Sequence, residues 1–564
     1  MPVKSKRSHA KLSAEPVAKP RGWAIAEFLE RRSRLLAIAL VVLASVRIVA
    51  TYPVFNHTWD ENAHIACGME WLADGVYRWE AQHPPLARVA AALLPYLAGA
   101  RPQGTPRRDA FSMSNEGSAI LYSLHHYQWT LALARLGILP FFWIACLTIY
   151  VWGKRYFGRT VAVCSLLLFS FLPTVLAHAG LATTDMALTA LLGAAFLRGA
   201  IWLELPTLRN AIWFGCVCAL AFLSKFSFLV YFPATAGLCL VWYLAMNRPR
   251  LSWLGTALRR RLPGLGLAIL IALPIIWAGY RFSFGSPPGA HYKIPAPEIV
   301  AGVRQVIEHN RSGHPSYLFG KLSTNGFVAL YPIALMVKTP LGILLLAAIG
   351  LFVAFRLHAK YPYAPYAILF SAAILIVGMM GNINIGLRHV LPVYYGMALV
   401  GGIGLTWLLK RGPHSRRSAW AAAVLVAWLG ISSLAAHPDY IPYFNELAGS
   451  HPEDILADSD LDWCQDYNRL GKRLRELGAT SVTFHSLLVG DLEKEHGFPH
   501  LETSMDLMIP NPGWNAVSMA DWKIYRFGLL NRHPNYKLWP DRYQPVEKVG
   551  KTILLYYFPP AAAQ

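Results

Sequence analysis

The stretch 35–54, LLAIALVVLASVRIVATYPV, decides the fold class. It is apolar over the ~20 residues needed to cross the hydrocarbon of a bilayer, and it lacks a small-residue cleavage site. It therefore reads as an uncleaved membrane anchor. Before it, residues 1–22 are polar and basic (Lys4, Lys6, Arg7, Lys11, Lys19, Arg21), and the basic N-terminal segment 1–34 is expected on the cytoplasmic side.

Further apolar runs follow at about 130–152, 160–178, 184–203, 210–225, 227–246, 263–281, 330–355, 363–380, 388–409 and 418–436. The expectation is a polytopic α-helical membrane protein of about eleven transmembrane helices, with 210–246 readable as two spans or one broken span. Alternation places Lys154, Arg155 and Arg159, then Arg198 and Arg209, then Arg248, Arg250, Arg259, Arg260 and Arg261 on the cytoplasmic face. Arg356 and Lys360, then Lys410, Arg411, Arg416 and Arg417, fall there too, as the positive-inside rule requires. The long loops 55–128 and 282–328 and the tail 437–564 are then extracytoplasmic.

Composition agrees with this reading. Of 564 residues 55% are hydrophobic and only 15% charged, and mean hydropathy is +0.35. Soluble domains carry about a quarter charged residues. The net charge of +21 sits in short loops between apolar runs, with no nucleic-acid-binding motif beside it, so no nucleic acid is expected as partner. Membrane lipids are. Five of the seven cysteines lie in apolar runs, and a disulfide between the other two, Cys67 and Cys464, stays open.

In loop 55–128, Ile65, Met69 and Leu72, and then Leu86, Val89, Leu93 and Leu97, recur at helical spacing, with Pro84 and Pro85 between them. These predict two interfacial helices. The tail reads as a small α/β domain: a helix from Tyr467 to Leu477 and strands at Ser481–Phe484 and Lys551–Phe558. No chemistry attaches to its acid cluster, Asp458-Ser-Asp-Leu-Asp-Trp-Cys-Gln-Asp466, which lacks calcium-loop spacing.

Chemistry-bearing residues gather on the outer side. Asp60 and Glu61 open the first interfacial helix, with His64 one turn on. Asp185 stands at the mouth of an apolar span. Both acids suit helix capping as well as catalysis, and the two readings stay open. Lys225 and Lys338 are compatible with snorkelling to the headgroups. Arg388-His389 follows a Gly/Asn-rich loop, and arginine's planar fork suits phosphate.

Seven segments carry a resemblance: Trp59-Asp-Glu-Asn-Ala-His-Ile65, Gln82-His-Pro-Pro-Leu86, Leu181-Ala-Thr-Thr-Asp185, Leu223-Ser-Lys-Phe226, Gly313-His-Pro-Ser-Tyr-Leu-Phe-Gly320, Val337-Lys-Thr-Pro340 and Asn384-Ile-Gly-Leu-Arg-His389. In order and spacing they resemble the GT-C superfamily of lipid-carrier-dependent glycosyltransferases, on the branch of protein O-mannosyltransferases and the lipid A aminoarabinose transferase. The resemblance implies a GT-C-like domain over 35–436, a polyprenyl-phosphate-linked sugar donor, a protein, lipid or glycan acceptor, and an inner bacterial membrane. It implies Asp60 as catalytic acid and Asp185 as a second site acid. At the position where the aminoarabinose branch has lysine, this chain has His83. No cofactor is firmly implied, and a divalent metal stays open.

The expected reaction is inverting transfer with Asp60 as general base and Glu61 and Asp185 orienting. Arg388, His389, Lys225 and Lys338 would face the donor phosphate, with His64 and His83 as further site candidates. A lipid-linked glycan flippase, a polymerase or ligase using a lipid-diphosphate donor, and an inactive polyisoprenoid-binding scaffold are the rivals.

Overall fold

The computed structural model describes residues 21–559 apart from Ala110, His125, 412–415, Val489, Ser504, 528–529 and 531–536. Most of the basic N-terminal segment lies outside the described residues. Helices Arg21–Arg31 and Ser33–Val49 open the described chain, and a helix or helix pair occupies every apolar run read from the sequence.

Among the described residues six helices are long and apolar enough to cross a membrane: Tyr127–Tyr156, Asp185–Glu204, Phe228–Asn247, Gly255–Gly279, Leu387–Lys410 and Arg416–Ala435. Two bent pairs raise the number to eight if each is one span. The chain is thus a helical membrane protein. The 210–246 stretch resolves into two helices, Leu208–Ser224 and Phe228–Asn247. Two of the expected spans, 160–178 and 330–355, are bent helix pairs. Arg159–Ser170 and Pro173–Ala179 meet at 70°, and Leu330–Lys338 and Leu341–Arg356 at 112°. Pro173 and Pro340 stand at these breaks, where proline bars the residue before it from helical geometry.

The helix Leu387–Lys410 is almost wholly buried at the centre of the bundle, whereas Gly255–Gly279 leaves Ile269, Leu270 and Leu273 exposed, as a lipid-facing helix does. Close approach at the centre uses glycine: a Cβ on Gly350 would meet the Val400 carbonyl oxygen at 1.8 Å. Small residues serve this purpose where lipid supplies no hydrophobic drive between helices.

In the first long loop, helices Glu61–Ala73 and Pro85–Leu97 form, the second with proline at its start where no amide partner is needed. Sequence reading gave no secondary structure for 282–328. There the chain forms hairpin strands β1 (Phe284–Gly285) and β2 (Ile294–Pro295), helix Pro297–Ser312, then β3 (Ser316–Leu318) and β4 (Lys321–Ser323).

Near the C-terminus, β5 (Ser481–Phe484), β6 (His500–Glu502), β7 (Gly513–Ser518), β8 (Glu547–Val549) and β9 (Ile553–Phe558) form a sheet of order β6-β5-β7-β9-β8. β5 is parallel to β6 and β7, and β9 antiparallel to β7 and β8. Helix Tyr467–Glu476 buries Leu470 and Leu474 against Val482 and Phe484 of the sheet. By contrast Tyr440, Tyr443, Ala448 and Leu456 of the linking segment are buried in the helical core. All seven cysteines are free.

Candidate functional site

Asp60 holds the N-cap position of helix Glu61–Ala73, yet its carboxylate makes no capping bond. It accepts instead from Arg388 Nη1 at 2.6 Å. Asp185, in the first turn of Asp185–Glu204, accepts from Lys225 Nζ at 2.6 Å and lies 3.9 Å from Arg388 Nη1. Lys225 reaches it because helix Leu208–Ser224 stops there and residue 225 turns extended, at φ −164° and ψ 138°. Four segments remote in sequence thus converge on one cluster of two acids and two cations. Asp185 is sealed at 1% side-chain exposure, while Asp60 keeps 28%.

Several polar atoms at the cluster have no hydrogen-bond partner among the described residues: Asp185 Oδ2, Arg388 Nε, His389 Nε2, His178 Nδ1 and Thr183 Oγ1. Buried polar groups are nearly always paired, so a group of orphans marks a place built for something else. Tyr231 fixes the backbone here by donating to the His389 carbonyl at 3.0 Å.

His64 and His83 lie beside the cluster, their rings edge to face at 5.3 Å. His64 Nδ1 accepts from Arg88 Nε at 3.0 Å, and Glu80 bonds both His83 and Arg88. Burial, reinforced for His64 by Arg88, holds both imidazoles below their ordinary range, so both are neutral.

Two expected site residues take other work. Glu61 is fully buried and accepts five hydrogen bonds, from Arg135 Nε and Nη2 at 2.9 and 2.8 Å, from Thr58 N and Oγ1, and from Ala182 N. Burial alone would raise its pKa, but Arg135 and these donors hold it below the ordinary value. These bonds tie the first loop to helix Tyr127–Leu136 and to the 181–184 bend. Lys338 donates to the carbonyls of Ile441, at 2.6 Å, and Asp460, which leaves it anchoring the tail instead of free to meet a phosphate.

Sequence reading missed the tail's part in the site. Trp463 lies over the Arg388 guanidinium, 4.1 Å from ring centroid to carbon. Asp460 Oδ1 accepts from Leu387 N at 3.0 Å. The dense acid cluster around Trp463 was the visible signal, but Leu387, whose amide Asp460 accepts from, lies 73 residues away. Arg88 and Arg135, charges within apolar helices, were a second signal.

Among the described residues no group of three or more His, Cys, Asp or Glu side chains is placed to hold a metal ion.

No curated protein sequence matches the chain. Among solved structures, ArnT from Cupriavidus metallidurans bound to undecaprenyl phosphate is similar at 12% identity and TM-score 0.47, over 92% of this chain and 97% of that one. The Saccharomyces cerevisiae protein O-mannosyltransferase Pmt1-Pmt2 complex bound to the sugar donor gives 12% and 0.47, over 77% and 93%. The oligosaccharyltransferase AglB from Archaeoglobus fulgidus gives 13% and 0.42, over 79% and 58%. In sequence, residues 130–286 match the family of dolichyl-phosphate-mannose-protein mannosyltransferases, on the branch of glycosyltransferases that the chain's ordered segments resemble.

Proposed function

We propose that the protein is a membrane glycosyltransferase that moves a sugar from a polyprenyl-phosphate donor to a hydroxyl acceptor at the non-cytoplasmic face, with inversion at the anomeric carbon. With the basic N-terminus inside, the alternation of basic loops would put the first loop, the ends of the helices that carry Asp185, Lys225 and Arg388, and the tail on that face. Asp60, Asp185, Lys225 and Arg388 then share one leaflet's surface, where a polyprenyl chain stays in lipid while its sugar meets water.

The observation that carries the reading is Arg388 Nη1, 2.6 Å from Asp60 and 3.9 Å from Asp185. An arriving donor phosphate is an anion that competes with Asp60 for this guanidinium. Once the phosphate holds Arg388, the Asp60 carboxylate is released toward the acceptor. The acceptor oxygen then attacks the anomeric carbon from the face opposite the phosphate, and its proton passes to Asp60. The bond from the anomeric carbon to the phosphate oxygen breaks, and the electron pair leaves on polyprenyl phosphate, held by Arg388 and Lys225. Asp185, sealed against Lys225, keeps both cations in place. Asp60 is the base because it is the acid of the pair that retains exposure.

Purified protein in vesicles, given radiolabelled polyprenyl-phosphate mannose or aminopentose and cell-envelope acceptors, is expected to yield a glycosidic product of inverted anomeric configuration. Movement of the labelled lipid between leaflets without transfer would make the protein a flippase. A product of retained configuration would remove Asp60 from the role of base.

A further inference from the structure

One short stretch of the tail holds both halves of the Asp60–Arg388 pair. The Trp463 carbonyl accepts from the backbone N–H of Trp59, the residue before Asp60, at 3.3 Å. Asp460 Oδ1 accepts from the backbone N–H of Leu387, the residue before Arg388, and the Ser459 hydroxyl donates to the Ile385 carbonyl. Between these anchors the Trp463 indole, 4% exposed, covers the guanidinium face. The turn carrying it is itself pinned. Asp462 accepts from the amides of Cys464, at 3.0 Å, and Ala520, at 3.1 Å, and Gln465 Oε1 accepts from Trp463 N at 2.6 Å.

We propose that Trp463 is a positioning residue for the donor phosphate, acting through Arg388; this deepens the donor reading above and rests on it. Arg388 is only 8% exposed, so its orientation is set mainly by protein neighbours. An indole face attracts the cation without using any N–H, because the ring's electron density meets the flat side of the guanidinium. The in-plane N–H edge is left for acceptors. Nη1 meets Asp60, and Nε has no partner among the described residues, which makes it a donor held ready for a phosphate oxygen. The His178 ring packs edge to face with the indole, centroids 6.2 Å apart. The sequence gives the same stretch two jobs: its acids and serine grip backbone, and its tryptophan grips the cation.

The test uses the full chain with Trp463→Phe and Trp463→Leu, reading the affinity for sugar-free polyprenyl phosphate and, in the transfer assay, donor KM and kcat separately. Trp463→Leu is expected to weaken lipid-phosphate binding and raise donor KM on the order of 10-fold, with kcat less affected. Trp463→Phe, which keeps a weaker ring face, falls between Leu and the parent. Equal losses in both variants, or a fall in kcat with lipid-phosphate affinity unchanged, would reduce Trp463 to packing and overturn the proposal. The Phe variant carries the decision if Leu does not fold. A parent that binds polyprenyl phosphate yet transfers no sugar defeats the transferase reading alone, and Trp463 is then judged by binding. A parent that binds no polyprenyl phosphate overturns both.

Discussion

Asp60 and Glu61 are neighbours in the chain, and each is paired with an arginine within 3 Å, yet they are opposite kinds of site. Glu61 is fully buried against Arg135 and accepts five hydrogen bonds. Asp60 keeps 28% side-chain exposure and receives one close bond, from Arg388, whose guanidinium also faces Asp185. A carboxylate saturated with donors has nothing left to offer a substrate, and its job is to hold elements together. A carboxylate with one exchangeable partner, on a cation that a phosphate also wants, is poised to change hands. Satisfaction of hydrogen bonds, rather than the presence of charge, separates the two carboxylates.

The widest way to break this comparison is Asp60→Asn. It removes the proton acceptor and keeps the shape, so kcat is expected to fall about 10²–10⁴-fold, the range general base catalysis supplies, with thermal stability near the parent's. Glu61→Gln should invert the pattern. It leaves Arg135 as an uncompensated buried charge, at a cost of about 3–5 kcal/mol of stability. Activity of the fraction that stays folded should be close to the parent's. Measuring thermal midpoint and kcat on both variants checks the pair. An Asp60→Asn enzyme of parental rate, or a Glu61→Gln protein of parental stability and abolished turnover, would exchange the two roles.

That division was not legible in the sequence, although much around it was. Apolar runs marked the long helices of the bundle, because burial in lipid demands a signal that is local and long, whereas Arg21–Arg31 carries no such run. The strand Ser481–Phe484 was read to the residue from β-branched and aromatic content. The bends at Pro173 and Pro340 were half visible: proline marks a break, but the angles of 70° and 112° are set by packing partners. Asp60, Asp185, Lys225 and Arg388, which the structure brings together, stand out in the sequence because each is a charge where an apolar environment makes charge costly. What distinguished Glu61 from Asp60 was a contact with Arg135, 74 residues away, and what tied the tail to the site was Asp460 on Leu387, 73 residues away. Nothing local encodes such pairings.

A smaller effect tests whether loop and tail act as one body around the site. His57 is fully buried, its Nδ1 2.7 Å from the Tyr127 hydroxyl, and its ring lies 6.5 Å from that of His496 in the tail. Burial, aided by His496, holds His57 down to about 3, and burial holds His496 down to about 4. The folded protein therefore keeps both neutral, while the unfolded chain protonates them near 6.5. Their contribution is fully present above about pH 6.5 and is lost as pH falls below it. Between pH 6.5 and 5 the loss is about 2 kcal/mol for His57, at 1.36 kcal/mol per pH unit. His57→Asn, which keeps a polar atom near the Nδ1 position and cannot protonate, should flatten the fall in thermal midpoint. An unchanged pH profile would separate the loop from the tail.

The finest test returns to the open acid and asks whether its surroundings tune it. Asp458 stands in the left-handed region at φ 59°, close enough to Arg388 and Asp60 to feel both charges. Burial pushes its carboxyl up to about 6 against the pull of Arg388. Below pH 6 it is neutral; above, it adds a third negative charge beside the cation that Asp60 and Asp185 already share. The phosphodiester of the donor stays singly negative throughout, so any change in its binding between pH 5 and 7.5 comes from the protein. Donor KM should therefore rise as pH passes upward through about 6, by a factor on the order of three, given the modest coupling of partly exposed charges. Asp458→Asn suits the left-handed backbone equally well and cannot ionise. It should lower donor KM at pH 7.5 and remove the pH dependence, leaving Asp60 and the phosphate as the competitors for one guanidinium.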